Sequence, residues 1–412
     1  MKVRHLQGGA MLAALTLLLL IGSLAALLSL DDPGIRAVNR AQIRSVEALA
    51  QARSALIGYA VSYAESHPGQ GSGYLPCPDS ANTGSATIGA CFARDDGALG
   101  RLPYRTLGLA DLRDGWGDCL WYAVGGSVKN NPKPQVLNWD SPDPFTLVDI
   151  HGNTLTGADA AAAILFAPGR PLDGQSRPSG TGSRCPGSPD AGNDLPHFLD
   201  GNYAAHLTSA PVFIQGLPSH PGNNDVLAWI TIDDIFAAMR KRSDFATQID
   251  AVIDRAAQAL ALRLDNVGFL DAHVTLEAGN RASGPLPDAA ALGIPSPYAD
   301  PHDNWRDQFR FVACKDGSTC LIADLADSAA TPAQAVQTTC RALLLFGGER
   351  IRTGPLQQSR TTAAERADPM QYLEPPNVDS LLSATGGFAG YRHFSIPDPL
   401  QPSTADVIRC LP

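Results

Sequence analysis

The 21 residues from Ala10 to Leu30 carry no charge, and they follow a short basic leader, Met1-Lys2-Val3-Arg4-His5-Leu6-Gln7, that ends on Gly8-Gly9. As a helix the run is about 31 Å long at 1.5 Å per residue, enough to cross a hydrocarbon core of about 30 Å. Lys2 and Arg4 precede it and Asp31-Asp32 follow it, so the positive-inside rule keeps the leader cytoplasmic and sends the rest of the chain across. A cleaved secretory signal fits less well. The apolar core is longer than such signals use, and its small pair Ala25-Ala26 leads straight back into Leu27-Leu28.

The chain of 412 residues is 44% hydrophobic and 17% charged, long enough for two or three cores and too apolar to be disordered throughout. Its net charge of -10 is spread along the sequence without a basic block, which argues against nucleic acid as a partner. Eight cysteines on the far side of a membrane read as disulfides. Zinc would need close Cys-x-x-Cys spacing, which is absent. Cys314 and Cys320 flank the turn signal Asp316-Gly317 between strand-like segments, so a crosslinked hairpin is expected. Cys77 with Cys91 suits a loop clamp. Cys119, Cys185, Cys340 and Cys410 are left to pair by tertiary proximity, with the connectivity open.

After Pro33-Gly34 the apolar residues Ile35, Val38, Ile43, Val46, Leu49, Ala52, Leu56, Ala60 and Ala64 recur mostly at helical steps. The helix should end near Glu65, before His67-Pro68-Gly69. Joined to the apolar run it would be one helix of roughly 55 residues, about 80 Å long, with a kink at Pro33. Then come Leu75-Pro76-Cys77-Pro78-Asp79, Gly100-Arg101-Leu102-Pro103-Tyr104, and Asp114-Gly115-Trp116-Gly117-Asp118 leading into the aromatic strand Leu120-Trp121-Tyr122-Ala123-Val124.

Glycine before an apolar helix, then a proline-rich loop, a Trp-Gly turn and an aromatic strand, resembles the type IV pilins and the pseudopilins of type II secretion, closely over residues 8–125 and loosely beyond. The resemblance implies cleavage by a prepilin peptidase after Gly8 or Gly9, with the apolar segment retained. It also implies pilin-like subunits as partners and contact with the membrane through residues 10–30. The family's glutamate five residues past the cut is missing, since that position is Ala14 or Ala13. Subunits lacking it tend to be minor or tip-located. Some pseudopilins hold calcium in the loop after the Trp-Gly strand, where this chain offers Asp140, Asp143, Asp149 and Asn153 as oxygen ligands at a spacing that fits no defined calcium loop. No other cofactor is expected.

The chain also resembles itself. Trp116-Gly117-Asp118-Cys119-Leu120-Trp121-Tyr122 is echoed by Trp305-Arg306-Asp307-Gln308-Phe309-Arg310-Phe311, and Leu165-Phe166-Ala167-Pro168-Gly169-Arg170 by Leu345-Phe346-Gly347-Gly348-Glu349-Arg350. Asp194 to Asp200 then matches Asp368 to Glu374, and Asp225 to Trp229 matches Asp406 to Cys410. The second copy's helix should run from Asp233 to about Leu264, capped by Thr231-x-x-Asp234. The expected organisation is therefore a leader at 1–9, a membrane or polymerisation helix at 10–30, and two tandem α+β heads at 31–230 and 231–412. Each head is a helix followed by an antiparallel sheet with long loops. Pro171 to Pro189 and Gly354 to Ala367 should be exposed loops. Arg170 and Arg350 should each form an ion pair, with Asp194 or Asp200 in one copy and Asp368 or Glu374 in the other.

No catalytic signature is present: there is no Gly-x-Ser-x-Gly, His-Glu-x-x-His, Walker loop or Gly-x-Gly-x-x-Gly. His302-Asp303, His197 with Asp200, and His151 near Asp149 suit structural roles in loops better than hydrolysis. Trp116, Tyr122, Trp305 and Phe311 fit core positions on matching strands better than a ligand platform. The sequence points to a non-enzymatic, single-pass inner-membrane subunit, with heads in the periplasm or at the cell surface, that caps or tips a fibre. The rival is a permanently anchored periplasmic binding protein or hydrolase acting through its loops.

Overall fold

The computed structural model describes residues 33–156, 160–177, 185–208, 211–328, 335–352, 354–396 and 406–412. The apolar run 10–30 and the leader with Gly8 and Gly9 lie outside the described residues. Among the described residues no helix is long and apolar enough to cross a membrane.

Helix α1 spans Pro33–Ser66, within one residue of the end expected from its pattern. Its row Ala41, Ser45, Ala48, Leu49, Ala52, Leu56, Ala60 and Tyr63 is buried, at the three- and four-residue steps that keep one face of a helix inward. That face lies on a five-stranded sheet ordered β5-β1-β2-β4-β7, through β4 and β7. The strands are β1 (Gly97–Arg101), β2 (Trp121–Val124), β4 (Ala163–Ala167), β5 (His206–Leu207) and β7 (Val226–Ile230). A parallel pair, β3 (Thr146–Asp149) with β6 (Val212–Gln215), and helix α2 (Ala191–Phe198) complete the first half.

The second half opens with α3 (Ile232–Met239) and α4 (Phe245–Ala261). The single helix expected from Asp233 to Leu264 is thus two, separated at Arg240 to Asp244. Arg242 there binds both Asp244 and Glu65, which ties the break to the end of α1. The capping box of Thr231 with Asp234 forms as expected. Next come α5 (Val267–His273), β8 (Leu276–Ala278), β9 (Arg281–Pro285), α6 (Ala289–Leu292), α7 (Ser296–Trp305), β10 (Phe309–Cys314), β11 (Leu321–Ala326), β12 (Val336–Cys340) and β13 (Ala342–Phe346). The chain then forms α8 (Ala363–Ala367), α9 (Asn377–Leu382), β14 (Phe388–Tyr391) and β15 (Val407–Leu411). The sheet is eight-stranded, β12-β11-β14-β15-β13-β10-β9-β8.

The two sheets share a four-strand antiparallel centre, β1-β2-β4-β7 in one and β9-β10-β13-β15 in the other. The echoed motifs fall on these strands with one change of register. Trp121 pairs with Phe166, whereas Arg310 pairs with Leu345 and Phe309 with Phe346. Since side chains alternate faces, Leu345 takes the place of Phe166, and Phe346 turns to the opposite face.

One apolar cluster joins the halves. It contains Leu56 and Tyr122 of the first half with Ile253, Phe311 and Leu344 of the second. Trp139, from a first-half loop, stands within 4.5 Å of the Trp305 ring centroid and near Phe236, Phe346 and Phe394. Each sheet also has a private core on its outer face, formed by Trp121, Phe166, Leu195 and Phe213 in one and by Leu321, Leu345, Tyr372 and Ile408 in the other. Both faces of each central strand are therefore covered. That is why β4 and β13 read as unbroken apolar runs rather than alternating ones.

Cys77–Cys91, Cys119–Cys185, Cys314–Cys320 and Cys340–Cys410 are bonded. The two short-range pairs are the expected ones, and the structure adds the two long-range pairs. No disulfide crosses between the halves.

Candidate functional site

The Trp-Gly turn seats the first sheet on α1. Buried Asp114 accepts hydrogen bonds from the backbone N–H of Trp116, Asp118 and Gly169, so one carboxylate closes the turn and holds the end of β4. Burial pushes Asp114 up to about 6 against the backbone donors that lower it. Gly117 adopts φ 95°, and the Gly115 N–H donates to Ser45 Oγ of α1. A Cβ on Gly115 would overlap the carbonyl oxygen of Ala41, so only glycine permits this approach. Tyr122, Trp305 and Phe311 are buried as expected, and Trp116 is half-buried.

Each half then carries a buried arginine staple that the sequence reading did not identify. Arg177 donates through Nη1 to Asp118 Oδ2 at 2.5 Å and to the Gly169 carbonyl, through Nε to the His197 carbonyl, and through Nη2 to Gln175 Oε1. Arg360 donates through Nη1 to Asp140 Oδ2 at 2.7 Å and to the Gly348 carbonyl, through Nε to the Gln371 carbonyl, and through Nη2 to Gln358 Oε1. The carbonyl and glutamine partners correspond, while the acids do not: Asp118 belongs to the turn of the same half and Asp140 to the other half. The signal was available as the repeated tripeptide Gln-Ser-Arg, at Gln175 to Arg177 and Gln358 to Arg360. It lay inside the two segments expected to be exposed loops, where the guanidinium groups are in fact buried.

The expected ion pairs differ accordingly. Asp194 pairs with Arg101, not with Arg170, which is exposed. Arg350 lies 3.8 Å from Asp140. Asp200 and Asp225 instead link to each other, the Asp200 N–H donating to Asp225 Oδ2, and the Glu374 N–H donates likewise to Asp406 Oδ2.

The calcium candidates are engaged separately. Asp140 holds Arg360 and Gln308, Asp143 accepts from the Ile232 N–H at the start of α3, and Asp149 accepts from the side chain and backbone of Asn153. Among the described residues, the group of His, Cys, Asp or Glu side chains close enough to share a metal is Asp111 with Cys119 and Cys185, and those cysteines are bonded to each other. The three candidate histidines likewise lie in separate places. His302 Nε2 faces the Pro287 carbonyl, the His197 carbonyl receives Arg177, and His151 lies in the Asp149 turn.

The first part of α1 carries several exposed apolar residues. Ile35, Val38, Ile43 and Val46 are 43 to 58% exposed, and Val38 continues the buried row Ala41 and Ser45 beyond the edge of the head. Arg36, Arg40 and Arg44 form an exposed basic row beside them. A helix thus rests its second part on a sheet and projects its first part, apolar on one side and cationic on another.

Comparison with known protein families, with curated proteins and with solved structures returns no match.

Proposed function

We propose that this chain is a non-enzymatic pilin-like or pseudopilin-like subunit, anchored in the inner membrane by residues 10–30 and placed at the cap or tip of a type IV pilus-like or type II secretion fibre. The observation that carries the reading is α1. From Ala41 on, one face is packed on the head through the Trp-Gly turn and the antiparallel sheet, while Ile35 and Val38 lie before that contact and Ile43 and Val46 stay exposed on the other side of the helix. In the sequence the uncharged run ends at Leu30, and only Asp31-Asp32 separate it from the start of this helix.

A bundle of such helices would bury the apolar run against its like as it leaves lipid, through close side-chain packing rather than through any gain over the lipid tails. The two heads share a core and so would travel as one body. Without a glutamate at position 13 or 14, the subunit has no carboxylate there to meet a neighbour's free amino terminus, which a tip position does not require.

Mass spectrometry of the mature N-terminus tests the reading in cells with and without prepilin peptidase. Loss of residues 1–8 or 1–9, dependent on the peptidase, is the expected result. An intact N-terminus, or a cut after Ala26, overturns it.

A further inference from the structure

Between the two halves opens a cleft of about 970 Å³, at the upper end of the range of about 300–1,000 Å³ that small-ligand sites occupy. One wall comes from the end of α1, the loop after Cys91 and the loop after β2, the other from α7 and the residue that caps α6. The lining is mainly polar. That argues against a lipid or an apolar peptide as occupant, since neither would replace the water that such walls give up.

The floor is already satisfied. Asp300 of α7 accepts from the Gly71 N–H at 2.6 Å, from the Tyr74 hydroxyl at 3.2 Å and from Lys133 Nζ at 3.0 Å, all three in the first half. Lys133 Nζ also lies 4.5 Å from the centroid of the Tyr74 ring. These bonds cross between the halves and hold the two walls in place, so the cleft is formed before a ligand enters it.

The rim is not satisfied. The guanidinium groups of Arg94 and Arg306 and the side-chain amides of Asn131 and Gln135 have no hydrogen bond or ion pair among the described residues. Asp288 and Asp303 each commit one oxygen to a backbone N–H, of Ala291 and Ala289, and the other has no partner among the described residues. All six side chains are exposed or half-buried, so a ligand in the cleft reaches them.

These groups are two cations, two anions and two neutral amides. A polyanion is opposed by the aspartates and a polycation by the arginines. A hydroxyl suits all six, because it donates to a carboxylate or an amide oxygen and accepts from a guanidinium or an amide N–H. We propose that this cleft binds a neutral oligosaccharide, whose hydroxyls bridge Arg94, Asn131 and Gln135 of the first half to Asp288, Asp303 and Arg306 of the second. The site lies wholly in the heads and does not depend on processing of the leader. A bound glycan therefore adds a second tie across the junction.

The test uses the full chain in lipid nanodiscs, with empty nanodiscs subtracted, and isothermal titration calorimetry. The neutral probes are maltopentaose, cellopentaose, laminaripentaose, mannopentaose and the N-acetylglucosamine pentamer; the charged ones are pentagalacturonate and the glucosamine pentamer. At least one neutral probe should bind saturably, at least fivefold tighter than either charged one, with an affinity that added salt leaves unchanged. Arg94→Ala and Arg306→Ala, one from each wall, should each weaken that binding at least fivefold. Neither loses a bond within the described residues, so both should melt with the parent protein by circular dichroism. Arg170→Ala, at an exposed position outside the cleft lining, should bind as the parent does. If one cleft variant melts early, the other decides. Absence of saturable binding by every neutral probe, equal or tighter binding of a charged probe, or unchanged affinity in a folded cleft variant overturns the proposal.

Discussion

The two halves use the same staple and complete it differently. In the first, Arg177 pairs with Asp118, the acid of its own Trp-Gly turn. In the second, Arg360 pairs with Asp140, which belongs to the first half, and the acid of its own turn, Asp307, accepts from Asn138 Nδ2, again of the first half. Burial and the neighbouring Asp140 push Asp307 up to about 6, with Arg360 and Arg310 opposing them. The first staple is completed within its own half. The second depends on the first half for a counter-ion, which gives physical content to the view that the heads move as one body.

The largest expected effect breaks that dependence. Removing one partner of a buried ion pair leaves the other charge uncompensated, at a cost of about 3–5 kcal/mol. Arg360→Met and Arg177→Met should both destabilise on this scale in urea titrations. Only Arg360→Met should loosen the junction, seen as faster hydrogen exchange in residues 138–143 together with the second sheet. If Arg177→Met opens that same segment equally, the asymmetry is wrong.

The disulfides sharpen the comparison next. On the loop-closure account, Cys119–Cys185 and Cys340–Cys410, with separations of 66 and 70 residues, should each contribute about 4 kcal/mol, and Cys314–Cys320, with a separation of 6, about 2 kcal/mol. Paired Cys→Ser variants compared by thermal melting would show this ranking. A hairpin variant that loses more than either long-range one would point to native-state packing rather than chain entropy.

How much of this was legible follows from what kind of signal each feature leaves. Helix α1 is readable because Ala41 to Tyr63 repeat the helical period and His67-Pro68-Gly69 ends it. The hairpin disulfide is readable because Asp316-Gly317 fixes the turn between its cysteines. The repeated strands are readable as motifs, yet the one-residue shift of Phe346 is not, because it is set by which face of β13 the shared core occupies. The long-range disulfides and Trp139 are contacts between distant segments, which leave no periodic trace. The arginine staples left an identical tripeptide in two segments rich in Gly, Ser, Thr or Arg, and loop composition masked it.

Matching buried acids predict the pH response. Asp225 and Asp406 both precede the last central strand of their sheets, both are 1% exposed, and each has an Oδ1 without a partner among the described residues. Burial raises both, Asp406 to about 7 and Asp225 well above its ordinary value. An acid whose folded pKa is raised holds its proton in the native state after the unfolded chain, near pH 3.9, has lost it. Its contribution to stability is therefore full below about pH 4 and declines as pH rises through the folded pKa. Asp406→Asn should flatten the decline between about pH 4 and 7 in denaturant midpoints measured across that range. Asp225→Asn should flatten a decline that extends higher. An unchanged profile in both variants would show that these carboxyls are not the groups titrating.

The smallest effect concerns the turn itself. Gly117 and Arg306 occupy equivalent places in the echoed Trp-x-Asp motif, but Gly117 has φ 95° and Arg306 has φ -59°, within the helical region. The second copy has replaced a left-handed turn by a short 3-10 segment, Arg306–Gln308, running into β10. A Cβ on Gly117 meets nothing within 4 Å, so Gly117→Ala tests backbone conformation without steric conflict. It should cost about 1–2 kcal/mol, the penalty for forcing an L residue into the left-handed region. Arg306→Ala should stay within about 0.5 kcal/mol, because its backbone is already ordinary. Equal costs at the two positions would mean that the turn is not what distinguishes the copies, and that the difference lies instead in the acid each staple recruits.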